Sequence, residues 1–444
     1  ILFYEISANL KQGEAQTNTN TFGISPYLGF VDMFIFDLTG APWYNSAKLL
    51  DAYKIGKKGK LIMHPIFYIY IFLPVILFWG SRIVKEGTWN EAFLSIEQSK
   101  AFQGFCVIVI AVHHISQKVF ADHEVSAFVR TGLSPFVNLG VFMTAVFFFF
   151  NGYGLYKSYI NKPGYLDNFL KKRLIPPLVA YYVTGWAFLA LRLGLGEKMS
   201  KKLFLLYLTG IVHCSPYSWY IVILLIFYVV FYLVFKHAKN ERSAVTVFTG
   251  IVLAYMAISL FVPRNDYFIR GEWWYNSVFM MPLGMLVAGN ENRIVEKVKR
   301  NYGKYLFFHI ALTYPALGLS YYALDKLGYF SASIPNGVTF KLICLLTQML
   351  AIYLVVSAAL FIGMNLRIGN RVLAALGKYT LEIYLIHGIF VELYDHDFVG
   401  IAPSPLPIES VALYALAVIA STIPLAILLK KLEKGVYGRL MGVK

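Results

Sequence analysis

Ser99-Lys100-Ala101-Phe102-Gln103-Gly104-Phe105-Cys106-Val107-Ile108-Val109-Ile110-Ala111-Val112-His113-His114 is the stretch that decides how this chain is read. It predicts an apolar helix with a lysine and a glutamine near its start and a histidine pair at its end. At about 1.5 Å per residue and 3.6 residues per turn, Gln103 and His114 lie about three turns apart on one face. Counted from Ser99, His114 stands roughly 22 Å along the axis, past the midplane of a hydrocarbon core of about 30 Å. An imidazole at that depth must find partners for its nitrogens, so an ionisable residue there is read first as functional. His114 carries that reading. His113 points about 100° away and is as readily a packing residue.

Working outward, apolar runs of similar length recur along most of the 444 residues, which are 58% hydrophobic, 17% aromatic and only 14% charged. Mean hydropathy is +0.59. Such a composition excludes an ordinary soluble domain and predicts an all-α, polytopic transmembrane helical bundle. The formal charge of +16 does not indicate nucleic acid, because the lysines and arginines sit in short loops between apolar spans, as membrane orientation requires. Membrane lipid is the surrounding partner. Cys106, Cys214 and Cys344 are scattered, with neither a disulfide framework nor metal-ligand spacing. No pair of His, Asp or Glu stands at i,i+4 on one intramembrane face with a third ligand nearby, so no metal is expected.

Ten core spans are expected at about 101–117, 136–156, 174–193, 219–236, 244–262, 274–290, 304–324, 338–363, 376–394 and 409–430. The basic segments 157–173, 236–242, 291–304, 364–378 and the tail after Leu429 then share one side, whereas 395–408 has no Lys or Arg. That basic side is cytoplasmic. Upstream, the reading is a peripheral or extramembrane segment over 1–63, an extra transmembrane helix and linker over 64–96 carrying Pro74, and the core over 97–444. The apolar patch at 30–38 is too short to span. The lysines around Lys57 fall outside, against the rule. Either a further span precedes them or 1–84 is a peripheral unit, and whether residues precede Ile1 stays open. No fixed repeat and no inverted pair of broken helices is visible, which argues against a secondary transporter.

Several stretches resemble, in order and spacing, the membrane acyltransferase-3 family. Lys100 to Gly104 followed by His113-His114-Ile115 resembles its first core helix, and Phe147 to Tyr153, with Asn151-Gly152, its second. Asn168 to Pro177, with Lys171-Lys172-Arg173, resembles the start of its third. Ser218-Trp219-Tyr220 and the run Leu376 to His387, which includes Glu382 four residues after Lys378, resemble its Trp-Tyr and Tyr-Leu-Ile-His helices. The resemblance covers about 99–430. It departs at Gln103, where the family often has Arg; Gln keeps hydrogen-bond donors and lacks the fixed charge, which Lys100 partly replaces by snorkelling.

The resemblance implies transfer of an acyl group, most often acetyl, from cytoplasmic acyl-CoA to a hydroxyl of a cell-surface or exported glycan, in a multi-pass plasma-membrane protein. Such chemistry needs a base for the hydroxyl proton and donors for the developing oxyanion, and His suits the first near neutral pH. The catalytic set is then His114, with His113 and His387. Glu382 is read as an i,i+4 partner of Lys378. The acyl-CoA side takes Arg173, Lys172, Lys171, Lys100 and Gln103, Arg being suited to phosphate oxygens. No Gly-rich phosphate loop points to ATP. The acceptor side takes Asn151, Tyr153, Trp219, Tyr220, Trp274 and Tyr275, with Tyr217, Trp273 and Asn276 nearby. Interfacial aromatic belts account for most such aromatic residues, and stacking on a sugar acceptor is the sharper alternative. A non-enzymatic exporter or flippase for glycan intermediates is the rival reading, a scaffold of a synthase complex a weaker one. A homo-oligomer stays open.

Overall fold

Backbone groups inside lipid have no water to bond, so an apolar run can cross only as a helix or a closed barrel. In the computed structural model the expected core spans coincide with helices, except that 274–290 does so only in its second part. Residues 64–263, 267–325 and 337–442 are described; the expectations for 1–63, the patch at 30–38 and the Lys57 cluster among them, lie outside the described residues.

A 3-10 turn, Pro65–Tyr68, leads into α1 (Ile69–Phe78). There follow α2 (Ile96–Ala121), α3 (Ala127–Leu133), α4 (Gly140–Asn161), α5 (Phe169–Gly194), α6 (Lys201–Leu208), α7 (Trp219–His237) and α8 (Glu241–Phe261). The second half holds α9 (Met280–Gly289), α10 (Glu291–Arg300), α11 (Tyr302–Asp325), α12 (Val338–Asn365), α13 (Arg371–Leu376), α14 (Thr380–Leu393) and α15 (Val411–Met441). Among the described residues seven helical stretches are long and apolar enough to cross a membrane: α2, α3 with α4, α5, α7, α8, α12 and α15. The sheets are two minimal antiparallel pairs. Arg82–Ile83 pairs with Leu366–Arg367, and Asp397–Phe398 with Ala402–Pro403.

The helix that carries the histidine pair is the centre of the bundle. α2 is capped by the Ser95 hydroxyl, which accepts from the Gln98 N–H at 3.3 Å. It packs against α1, α3, α4, α13, α14 and α15, and from Cys106 to His113 every residue is buried. Lipid-facing side chains sit elsewhere, on α11 (Phe307, Phe308, Ile310) and α15 (Leu416, Leu428). The extra N-terminal helix is short: Pro65–Phe78 spans about 21 Å at 1.5 Å per residue, and Trp79 ends it in extended conformation. Its His64 end shares a cavity with Asp122 and Glu409, at the end opposite the basic loops.

The expected span at 274–290 is the one that differs most. Only Met280–Gly289 is helical, about 15 Å long, and Glu272–Trp274 is a 3-10 turn. Irregular backbone at membrane depth survives only where protein covers it. Trp274, Tyr275, Asn276 and Ser277 are accordingly all buried.

Gln98 clasps the start of α2 to the loop before α13. Its Nε2 donates to the Ile368 carbonyl and its Oε1 accepts from the Ile368 N–H, both at 2.8 Å, and Gln98 itself is buried. Gln98→Ala strands both backbone groups and is expected to cost about 2 kcal/mol. A thermal unfolding shift relative to an exposed control such as Lys100→Ala measures it.

Candidate active site

Three imidazoles meet where α2 and α14 cross. The His114 ring lies 4.6 Å from that of His113 and 5.2 Å from that of His387, with which it stacks at 23°. Tyr217, just before α7, sets its ring edge-on to His114 at 4.6 Å and against His387 at 5.6 Å. Two glycines make room, since a Cβ on Gly140 would collide with the His113 ring and one on Gly388 with Tyr217.

Hydrogen bonds fix the tautomers. His114 Nδ1 stands 3.0 Å from Gln117 Oε1, and the Gln117 amide nitrogen donates to the Val137 carbonyl, so the glutamine presents its oxygen and His114 Nδ1 carries the proton. His113 Nδ1 donates to the Phe136 carbonyl at 3.0 Å, and His387 Nδ1 to the Ile383 carbonyl at 3.1 Å. Each ring therefore keeps an Nε2 lone pair. His113 and His387 are buried, whereas His114 retains accessible surface. Of the three residues, His114 is the least buried.

On the side away from the basic loops, a buried ion-pair cluster backs the histidines. Lys118 Nζ lies 2.7 Å from Glu392 and 3.0 Å from Asp395. The Tyr217 hydroxyl donates to the other Glu392 oxygen at 2.5 Å, and the Val399 N–H to Glu392 Oε2 at 2.8 Å. Val399 holds φ at +55°, a strained conformation for a β-branched residue. Towards the basic side runs a line of phenols. Arg173 donates to the Tyr165 hydroxyl at 2.8 Å, Tyr165 packs on Phe169, and Phe169 on Tyr228. Tyr228 donates to Asn151 Oδ1 at 2.6 Å, and Asn151 Nδ2 donates to Tyr220 at 3.1 Å. Tyr220 meets Tyr384 at 5.4 Å, and Tyr384 meets His387 at 5.9 Å. The Tyr384 hydroxyl is buried, with the Tyr220 backbone against it.

The sequence-expected residues are thus sorted by place. His114, His113 and His387 come together, with Tyr220 and Asn151 one shell away and Arg173 at the basic end of the phenol line. Lys171, Lys172 and Lys100 are exposed and Gln103 is half-buried. Tyr153 is not brought to Trp219 and Trp274. It donates to Glu291 at 2.7 Å near the basic end, where Lys157 also reaches Glu291. Trp219 and Trp274 pack at 6.4 Å, with Tyr275 buried beside them. Glu382 does not pair with Lys378: Lys378 precedes the first turn of α14, and Glu382 turns inward to Lys430 of α15 at 2.6 Å. Gln117, Lys118 and Glu392 were not singled out in the sequence. The first two stand at i+3 and i+4 from His114, a spacing that marks them as its neighbours. No group of three or more His, Cys, Asp or Glu able to hold a metal ion occurs among the described residues.

Comparison with known proteins gives one family. The acyltransferase domain of the acyltransferase-3 type matches residues 97–431, from the first turn of α2 into α15. No curated protein matches the chain, and no solved structure does. The match spans about three quarters of the chain and takes in the three histidines, the phenol line and the ion-pair cluster. This chain therefore belongs to the acyltransferase-3 family, and it is a membrane acyltransferase.

Proposed function

We propose that the protein moves an acyl group, acetyl in view of the resemblance, from acyl-CoA at the cytoplasmic face to a hydroxyl of a cell-surface or exported glycan, and that it works in the plasma membrane. The observation that carries this reading is the His114 ring, with Nδ1 held by Gln117 and Nε2 free on a ring that keeps accessible surface. The acceptor O–H gives its proton to Nε2 as the oxygen attacks the thioester carbonyl. The tetrahedral intermediate then expels the thiolate, which takes the proton back from the imidazolium, leaving an ester and free CoA. The buried Tyr384 hydroxyl, on a ring 5.9 Å from that of His387, is a donor suited to the developing oxyanion. Arg173 would hold the nucleotide phosphates, with Lys171 and Lys172 adding charge, while the acyl-bearing arm follows the phenol line inward.

Purified protein in detergent, given labelled acetyl-CoA, should release CoA only when a glycan acceptor is added. Arg173→Ala is expected to raise the KM for acyl-CoA about tenfold while the acceptor KM stays put, since a charged hydrogen bond contributes about 1.5–3 kcal/mol. An unchanged donor KM would remove Arg173 from the donor site. Glycan movement across vesicles without CoA release would favour an exporter.

A further inference from the structure

The irregular stretch ahead of α9 leaves buried hydrogen-bonding atoms without partners within four residues of chain, and a histidine from the loop before α7 packs on the same stretch. Trp274 Nε1, Asn276 Oδ1 and Ser277 Oγ are unpaired, as is Nε2 of His213, whose ring lies 5.2 Å from that of Trp274. All four residues are no more than 2% exposed. Buried polar atoms are nearly always satisfied, and four unsatisfied ones in one place ask for a ligand that supplies hydrogen bonds.

The chemistry of the set names the ligand class. The indole N–H only donates. Asn276 has spent its amide nitrogen on Gln348 Oε1, at 2.7 Å, and offers an acceptor. The Ser277 hydroxyl does both. Burial, with Arg270 nearby, pushes the His213 pKa down to about 3, so the ring is neutral at physiological pH and its Nε2 adds no charge. Arg270 and Glu272 bring opposite charges to the same loop, and each is already engaged. Mixed donors and acceptors without net charge, beside the paired indoles of Trp219 and Trp274, suit ring hydroxyls against an aromatic face. Trp219 adjoins Tyr220, whose ring contacts Tyr384 and so leads to His387.

We infer that His213, Trp274, Asn276 and Ser277 form an acceptor subsite for a neutral, hydroxyl-bearing sugar ring, one that discriminates against uronates and other anionic sugars. This deepens the reading of the protein as a glycan acyltransferase and rests on it for the identity of the acceptor.

The test uses the full chain in detergent and neutral trisaccharides of glucose, galactose and N-acetylglucosamine, each beside its 6-carboxyl counterpart. Saturation-transfer NMR with titration reads binding, and CoA release is measured on the same preparation. At least one neutral sugar should bind, its uronate form tenfold or more weaker. Trp274→Phe and Ser277→Ala should each weaken binding about tenfold and raise the acceptor KM with the acyl-CoA KM unchanged. Ser277→Ala removes one hydroxyl and serves if Trp274→Phe unfolds. Binding of no neutral sugar, equal binding of the uronates, or wild-type affinity in Ser277→Ala overturns the subsite. Sugar binding with these dependences but no CoA release would instead overturn the transferase reading and leave the subsite standing.

Discussion

His114→Ala is expected to lower acceptor-dependent CoA release by about 10²- to 10⁴-fold, the range that a positioned general base supplies. The loss should fall on kcat. His114 is only half-buried and its Nδ1 bond is local, to a residue one turn away, so truncation should shift the unfolding temperature little. His387→Ala makes the contrast. That ring is fully buried between Tyr217, Tyr384 and His114, and its removal leaves a cavity, so stability and activity should fall together. Gln117→Ala keeps the base and frees its tautomer, and a loss near tenfold is expected there. CoA release at the wild-type rate in a folded His114→Ala protein would remove the catalytic assignment.

Much of the fold was legible because the bilayer imposes a length. Each run of about 20 apolar residues had to be a helix, and all but one are helical along most of their length. The run at 274–290 shows the limit of that rule. Hydropathy counts apolar residues and does not tell a helix facing lipid from a coil sheathed in protein, so the shortness of α9 showed only in Asn276 and Ser277 among the tryptophans. Local spacing misled once, at Lys378 and Glu382, because an i,i+4 pair presumes a helix that here starts two residues too late. Within the candidate site, the histidines stood out from their setting in an apolar helix, whereas their surroundings did not. The His114 and His387 rings stack across a large gap in sequence, and Lys118 meets Glu392 274 residues away. Tertiary packing decides such encounters. Only Gln117 and Lys118, one turn from His114, were within reach of a sequence argument.

Glu392→Ala carries the largest expected loss of stability. The carboxylate is 3% exposed and holds three donors: Lys118, Tyr217 and the N–H of the strained Val399. Removing it leaves a buried ammonium and a buried phenol to be satisfied by less. Breaking a buried pair from one side costs about 3–5 kcal/mol, and the lower end applies because Asp395 still faces Lys118 at 3.0 Å. The energy of desolvating Lys118 is the cause, so the double variant Lys118→Met with Glu392→Ala should recover part of the loss, the cycle reporting a coupling of about 2 kcal/mol or more. Activity should not recover with it. Tyr217 sits edge-on to both His114 and His387 and is anchored by Glu392, so a stable protein without the carboxylate still has a loosened ring against its base. Unfolding temperatures and CoA release on the two single variants and the double separate these effects. Additive losses of stability would mean that the ion pair contributes no more than its two side chains apart, and full activity in the double would mean that Tyr217 needs no anchor.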